Sequence, residues 1–250
     1  MSIKIINPIS TDELIKGRDG ISFLQKEAIQ IWSIPLDANE KFRAACLNAL
    51  GEVGRERISF FKFKQVQESY IISQGGLRLL LSYYLGIEPQ DIQIGRLSKG
   101  KPISIDNPTL RFNMSNSGRK VVYAFSLDEE IGIDLERIRE MSDLDELIEK
   151  NYNRYEQNYI NKLPEKRLYR FFKFWTIKEA YLKAIGVGMR IPPEDLMFGV
   201  QNGVYTLQSI RGEVDTEDWV FKDFELEDGA YVGTLTIKNE GANISLTTVV

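Results

Sequence analysis

The stretch IGIDLE, residues 131–136, alternates apolar and polar positions, the period-two pattern of a strand with one dry face. Ile131, Ile133 and Leu135 fall on one side, and Gly132, Asp134 and Glu136 on the other. Two carboxylates projecting side by side repel each other unless solvent or a cation intervenes. The pair therefore reads either as two ligands of one hard metal ion or, more blandly, as a solvated strand face. Gly132, lacking a side chain, is expected to let a ligand approach that face.

Toward the C-terminus, FFKFWTIKEAYLKAIGVG (171–188) predicts a helix with a core stripe through Phe174, Ile177, Tyr181 and Ile185. Glu179 and Lys183 lie off that stripe, four apart in the favourable order. By itself this is a surface ion pair contributing about 0.2–0.5 kcal/mol. Its company favours a site: Trp175 stands one turn earlier, Lys178 is adjacent, and Gly186 and Gly188 end the helix in a loop able to approach a ligand. Periodicity predicts helix over 142–162 and 165–185, and strands in VYTLQS (204–209), WVFKDFEL (219–226), YVGTLTIK (231–238) and ISLTTVV (244–250).

Toward the N-terminus, VVYAFS (121–126) reads as a strand joined to IGIDLE by only LDEE, which suggests a hairpin. LRFNMS (110–115) alternates, SNSG (115–118) reads as a turn, and LSKGKPIS (97–104) is a loop presenting Lys101 between Gly100 and Pro102. Helices are expected over 39–50 and 65–85, after a strand in EAIQIWSIPLD (27–37). GRERISFFKFK (54–64) mixes Arg55, Arg57, Lys62 and Lys64 with aromatics, as a phosphate-binding patch or an amphipathic surface would. Two successive sets of strands and helices predict an α+β protein of two similar α/β halves, 1–127 and 128–250, with a site in the cleft between them.

Composition narrows the chemistry. The 250 residues contain no histidine, which excludes Ser-His-Asp and Cys-His nucleophilic schemes and leaves carboxylates as the metal ligands, suited to magnesium, manganese or calcium. The single cysteine, Cys46, sits in FRAACLNAL at helical spacing and reads as packing. A net charge of −4, from 32 basic and 36 acidic residues, gives no field for nucleic acid. Neither a signal-like start nor an apolar run of roughly 20 residues occurs, so a cytoplasmic protein with no membrane contact is expected.

Taken in order, these segments resemble the 4'-phosphopantetheinyl transferases of the large, surfactin-synthetase-activating type. That family's Gly-Lys-Pro loop, Ser-His-Ser-Gly-like turn, Gly-Ile-Asp-x-Glu strand and Trp-x-x-Lys-Glu-x-x-x-Lys helix stand here as GKP, SNSG, GIDLE and WTIKEAYLK. The resemblance implies transfer of the 4'-phosphopantetheine of coenzyme A to a serine of an apo acyl or peptidyl carrier protein, with release of adenosine 3′,5′-bisphosphate. It implies that Asp134, Glu136 and Glu179 hold Mg2+, or Mn2+, against the pyrophosphate and that Lys183 neutralises the leaving phosphate. Lys101 would contact the nucleotide, Arg57 a coenzyme A phosphate, and Ser115, Asn116 and Lys178 belong to the same binding motifs. Either Glu179 or a water on the metal would be the base.

Two positions depart from the pattern. Asn116 replaces a histidine that contacts the 3′-phosphate, and Ser69 stands where a basic residue is common, with Lys64 or Arg78 as possible substitutes. The stretch RLYRFFKF (167–174), with Arg167, Arg170 and Lys173, reads either as part of a docking face for an acidic carrier or, more blandly, as a solvated helix face. A monomer is expected. The competing readings are a non-catalytic coenzyme A- or carrier-binding module and a metal-dependent nuclease. The four-residue helical spacing of Glu179 and Lys183 disfavours the nuclease.

Overall fold

Strand β1 (Lys4–Ile9) and helix α1 (Thr11–Lys16) open the chain, followed by β2 (Ala28–Pro35), α2 (Glu40–Ala49), α3 (Gly51–Ile58) and the long α4 (Lys64–Leu85). Next come β3 (Ile94–Arg96), β4 (Pro102–Ser104), β5 (Leu110–Ser117), β6 (Lys120–Leu127) and β7 (Gly132–Arg137). Helices α5 (Leu144–Asn151), α6 (Arg154–Asn161) and α7 (Arg167–Ile185) lead to β8 (Leu196–Gln201), β9 (Val204–Ile210), β10 (Glu213–Val214), β11 (Val220–Leu226), β12 (Tyr231–Ile237) and β13 (Asn243–Val249). The structure, a computed structural model, describes residues 3–16, 24–214 and 218–250.

One plan is used twice. In β2–α4–β5–β6 and again in β7–α7–β11–β12, a strand and a long helix are followed by a hairpin whose second strand pairs antiparallel with the first strand. The resulting orders, β2-β6-β5 and β7-β12-β11, correspond strand for strand. The chain is therefore α+β, with two similar sheet-and-helix units. One element crosses over: β13 pairs in parallel with both β2 and β1, extending the first sheet to β1-β13-β2-β6-β5.

Period-two patterning explains the layering. On β6, Val121, Tyr123 and Phe125 join a core with Phe42 and Ile72 of the N-terminal helices, whereas Val122 and Ala124 face the second sheet. There they meet Ile133 and Leu135 of β7 and Leu235 and Ile237 of β12. The two sheets thus lie face to face, with α4 outside one and α7 outside the other.

The expected hairpin between 121–126 and 131–136 does not form. Both edges of β6 are already taken, by β2 and β5, so the chain leaves that sheet and β7 pairs with β12 instead. The helix expected over 142–162 is two helices. Asn153 caps α6 by accepting from Glu156 N–H, while Glu156 accepts from Asn153 N–H, and this reciprocal cap starts a new helix.

Helix α7 departs most from a one-sided amphipathic reading. Phe174, Ile177 and Tyr181 are buried as expected, but so are Arg170, Lys173 and Lys178. The Lys173 ammonium pairs with Asp223 and donates to Thr234 Oγ1 at 3.0 Å. Arg170 donates to the Tyr159 carbonyl at 2.7 Å and lies over the Tyr159 ring. Arg167 pairs with Asp145. Arg170 and Lys173 are thus internal braces, which removes them from the expected docking face, while Arg167 stays half-buried at the surface.

Gly132 also has a different purpose from the expected one. A Cβ there would lie 2.0 Å from the Ala180 carbonyl oxygen and 2.5 Å from Ala184 N. The missing side chain lets α7, not a ligand, settle onto β7.

Candidate active site

Strands β5 and β7 are edges of their respective sheets, and they meet through side chains. Asn113 Oδ1 accepts from Ile133 N–H at 2.9 Å, and Ser115 Oγ donates to Asp134 Oδ1 at 2.7 Å. Ser117 Oγ donates to Glu136 Oε2 at 2.6 Å and accepts from Arg137 N–H at 3.1 Å. Alternation makes this zip possible: Leu110 and Phe112 enter the first core, so Asn113, Ser115 and Ser117 project toward β7. SNSG is therefore mostly strand, and the turn is made by Gly118, at φ 56°, with Arg119. The sequence reading leaves out Asn113 and takes Ser117 only as part of the SNSG turn, although polar residues at every second position from 113 to 117 carry the signal.

At the centre of this seam Asp134 is only 4% exposed. Its Oδ1 accepts from Ser115 and, at 2.7 Å, from the Lys183 ammonium, which also donates to Ser115 Oγ and the Ile133 carbonyl. Its Oδ2 is buried and has no hydrogen-bond partner, and Glu179 Oε1 is in the same condition. Glu179 precedes Ala180, the residue whose carbonyl rests over Gly132, so the α7–β7 contact brings it to the strand carboxylates.

These groups feel one another. Burial raises the Glu179 carboxyl above the ordinary value, and the charges of Asp134 and Glu136 raise it further against the pull of Lys183. Burial likewise raises Glu136, with Asp134 adding to the effect while Ser117 and Arg139 oppose it. Arg139 reaches Glu136 Oε2 at 3.4 Å and lies over the Phe172 ring.

Buried oxygens left without partners are costly, and crowded carboxylates are relieved by positive charge. Among the described residues, no three acidic, histidine or cysteine side chains gather closely enough to enclose a metal by themselves. The donor set still fits magnesium, which is commonly held by one or two carboxylates and fills its remaining positions with water and substrate phosphate.

The remaining expected site residues are distributed unevenly. Ser115 and Lys183 belong to the acidic centre. Asn116 is exposed at the end of β5, and Arg57 is exposed on α3 with its guanidinium over the Tyr70 ring. Lys178 was expected with the coenzyme A-binding residues but is 0% exposed. Its ammonium donates to Glu156 Oε2 at 2.6 Å and to the Pro193 and Asn151 carbonyls, so it braces α7 against its neighbours. Lys101 is 8% exposed and turned inward. Arg78 donates to the Pro89 and Ile92 carbonyls, which engages the side chain expected to substitute at Ser69.

The sequence model of the 4'-phosphopantetheinyl transferase superfamily matches residues 130–236, and that of the 4'-phosphopantetheinyl transferase N-terminal region matches 35–127. The chain is 35% identical over 170 residues to the 4'-phosphopantetheinyl transferase HetI of Nostoc sp., covering 66% of this chain and 72% of that protein. It is also 35% identical over 140 residues to the 4'-phosphopantetheinyl transferase gsp of Aneurinibacillus migulanus, covering 54% and 56%. To the L-aminoadipate-semialdehyde dehydrogenase-phosphopantetheinyl transferase of Mus musculus it is 26% identical over 208 residues, covering 75% and 67%. Among solved structures, the holo-[acyl-carrier-protein] synthase of Thermotoga maritima is similar at 19% identity and a TM-score of 0.35, over 43% of this chain and 61% of that one. This chain belongs to the 4'-phosphopantetheinyl transferase superfamily, and it is a transferase. Among the described residues, no helix is long and apolar enough to cross a membrane.

Proposed function

We propose that the protein transfers the 4'-phosphopantetheine of coenzyme A to a serine of an apo acyl or peptidyl carrier protein, with Mg2+ or Mn2+, releasing adenosine 3′,5′-bisphosphate. The observation that carries this reading is the pair of buried, unpartnered oxygens, Asp134 Oδ2 and Glu179 Oε1, beside Glu136 and the Lys183 ammonium. When bound there, the cation would supply charge neutralisation at the pyrophosphate.

The side chains have separable tasks. Ser115 and Lys183 hold Asp134 Oδ1, which fixes the carboxylate plane and leaves Oδ2 free for the cation. Lys183 keeps part of its side chain exposed and can neutralise charge appearing on the departing phosphate. Either Glu179 or a water on the metal accepts the proton of the carrier serine. Asn116 and Arg57, both exposed, are available to the phosphates of coenzyme A. In this reading residues 1–127 contribute the coenzyme A contacts and 128–250 the metal ligands, and the protein acts as a cytoplasmic monomer.

Intact-mass spectrometry of an apo carrier incubated with the protein, coenzyme A and Mg2+ tests the reading. A phosphopantetheine adduct that disappears with chelator is expected. An unmodified carrier, with acyl and peptidyl types both tried, overturns it.

A further inference from the structure

Lys101 comes from the β3–β4 connection, where Leu97 N–H donates to the Lys101 carbonyl at 2.9 Å and Gly100 N–H to the Leu97 carbonyl at 2.8 Å. From this closed turn its side chain runs across Gly186, the left-handed residue that ends α7. A Cβ on Gly186 would lie 3.2 Å from both Cβ and Cδ of Lys101, so the lysine stem lies flat on the helix end. Its ammonium donates to the Ala184 carbonyl at 2.6 Å, the Ile131 carbonyl at 3.1 Å and Glu130 Oε2 at 2.6 Å. Ala184 is in the last turn of α7, where carbonyls lack helical partners and a cation is favourable. Ile131 is the residue before β7.

All three donor positions are therefore engaged by the protein itself, two by buried carbonyls and one by the half-exposed Glu130. They tie the end of the helix carrying Glu179 and Lys183 to the start of the strand carrying Asp134 and Glu136. Resting on the proposed metal-dependent transfer, we infer that Lys101 is a positioning residue that sets the spacing of the metal-binding carboxylates, and that it does not bind the nucleotide of coenzyme A.

The two roles separate experimentally. Lys101→Met keeps the stem over Gly186 and removes the charge. Mn2+ affinity, read by electron paramagnetic resonance, is expected to weaken tenfold or more. The Kd for coenzyme A without metal should stay within twofold, and kcat should fall while KM for coenzyme A stays within twofold. A tenfold rise in KM or Kd for coenzyme A, or unchanged Mn2+ affinity, overturns the inference. Should that variant fail to fold, Glu130→Gln decides. Positioning predicts an unchanged KM for coenzyme A and at most a threefold weaker Mn2+ site, whereas a nucleotide-binding lysine freed of its carboxylate lowers that KM and overturns the inference. Wild-type protein run alongside separates failure here from failure of the transferase reading, because only the latter leaves wild type inactive.

Discussion

Replacing Gly132 by alanine adds one methyl group where two elements already touch. The new Cβ would sit 2.0 Å from the Ala180 carbonyl oxygen, about 1.4 Å short of the 3.4 Å at which ordinary contact begins, and both neighbours are backbone atoms. No rotamer relieves the clash, so α7 must lift from β7. Overpacking of this kind costs about 1–3 kcal/mol, and in a protein of this size each kcal/mol lowers Tm by about 2–4 °C. Lifting α7 also carries Glu179 away from Asp134 and Glu136, and displacement of a reacting constellation by about 1 Å can lower turnover about 100-fold. Thermal melts and carrier-modification rates of Gly132→Ala would be compared with those of Gly199→Ala, whose added Cβ meets only the end of the Gln208 side chain. A Gly132→Ala protein that melts and turns over like wild type would refute the claim that α7–β7 contact builds the site.

Glu179→Gln should abolish transfer while the protein stays folded, and near-normal turnover would remove Glu179 from the centre. Because the folded-state pKa of Glu179 is raised, ionisation costs the native state stability as pH rises from about 4.5 through that raised value. Without metal, Glu179→Gln should therefore match wild type in stability below about pH 4.5 and gain on it above, which urea melts at several pH values can check. Lys178→Met leaves Glu156 enclosed without its cation and should cost about 3–5 kcal/mol, whereas adding Glu156→Gln, which keeps an acceptor for Phe198 N–H, should recover part of the loss; a negligible cost for the single variant contradicts the bracing role. Asn116→His should raise the preference for coenzyme A over its 3′-dephospho form, and an unchanged ratio would detach Asn116 from that phosphate.

What was legible in the sequence was whatever depends on local period. Alternation in IGIDLE predicted the dry face of Ile131, Ile133 and Leu135, all fully buried, and helical spacing gave α4 and α7, which end near Gly86 and Gly186. Partner choice was not legible. Nothing local says that β6 is already flanked on both edges or that β13 returns to the first sheet, so the hairpin to IGIDLE was a reasonable local inference that tertiary pairing overrides. Charge misled in the same way. Lys173 and Lys178 look solvated on a helix of unknown surroundings, yet each has an acidic partner far away in sequence, Asp223 and Glu156. The glycine at 132 was recognised as making room, but only the fold reveals that the occupant is the helix.

The most direct test of the account is anomalous diffraction from crystals grown with Mn2+ and coenzyme A. A single peak with oxygens of Asp134 and Glu179 and pyrophosphate oxygens around it is predicted. A manganese ion bound without Glu179, or seated elsewhere in the molecule, would contradict it.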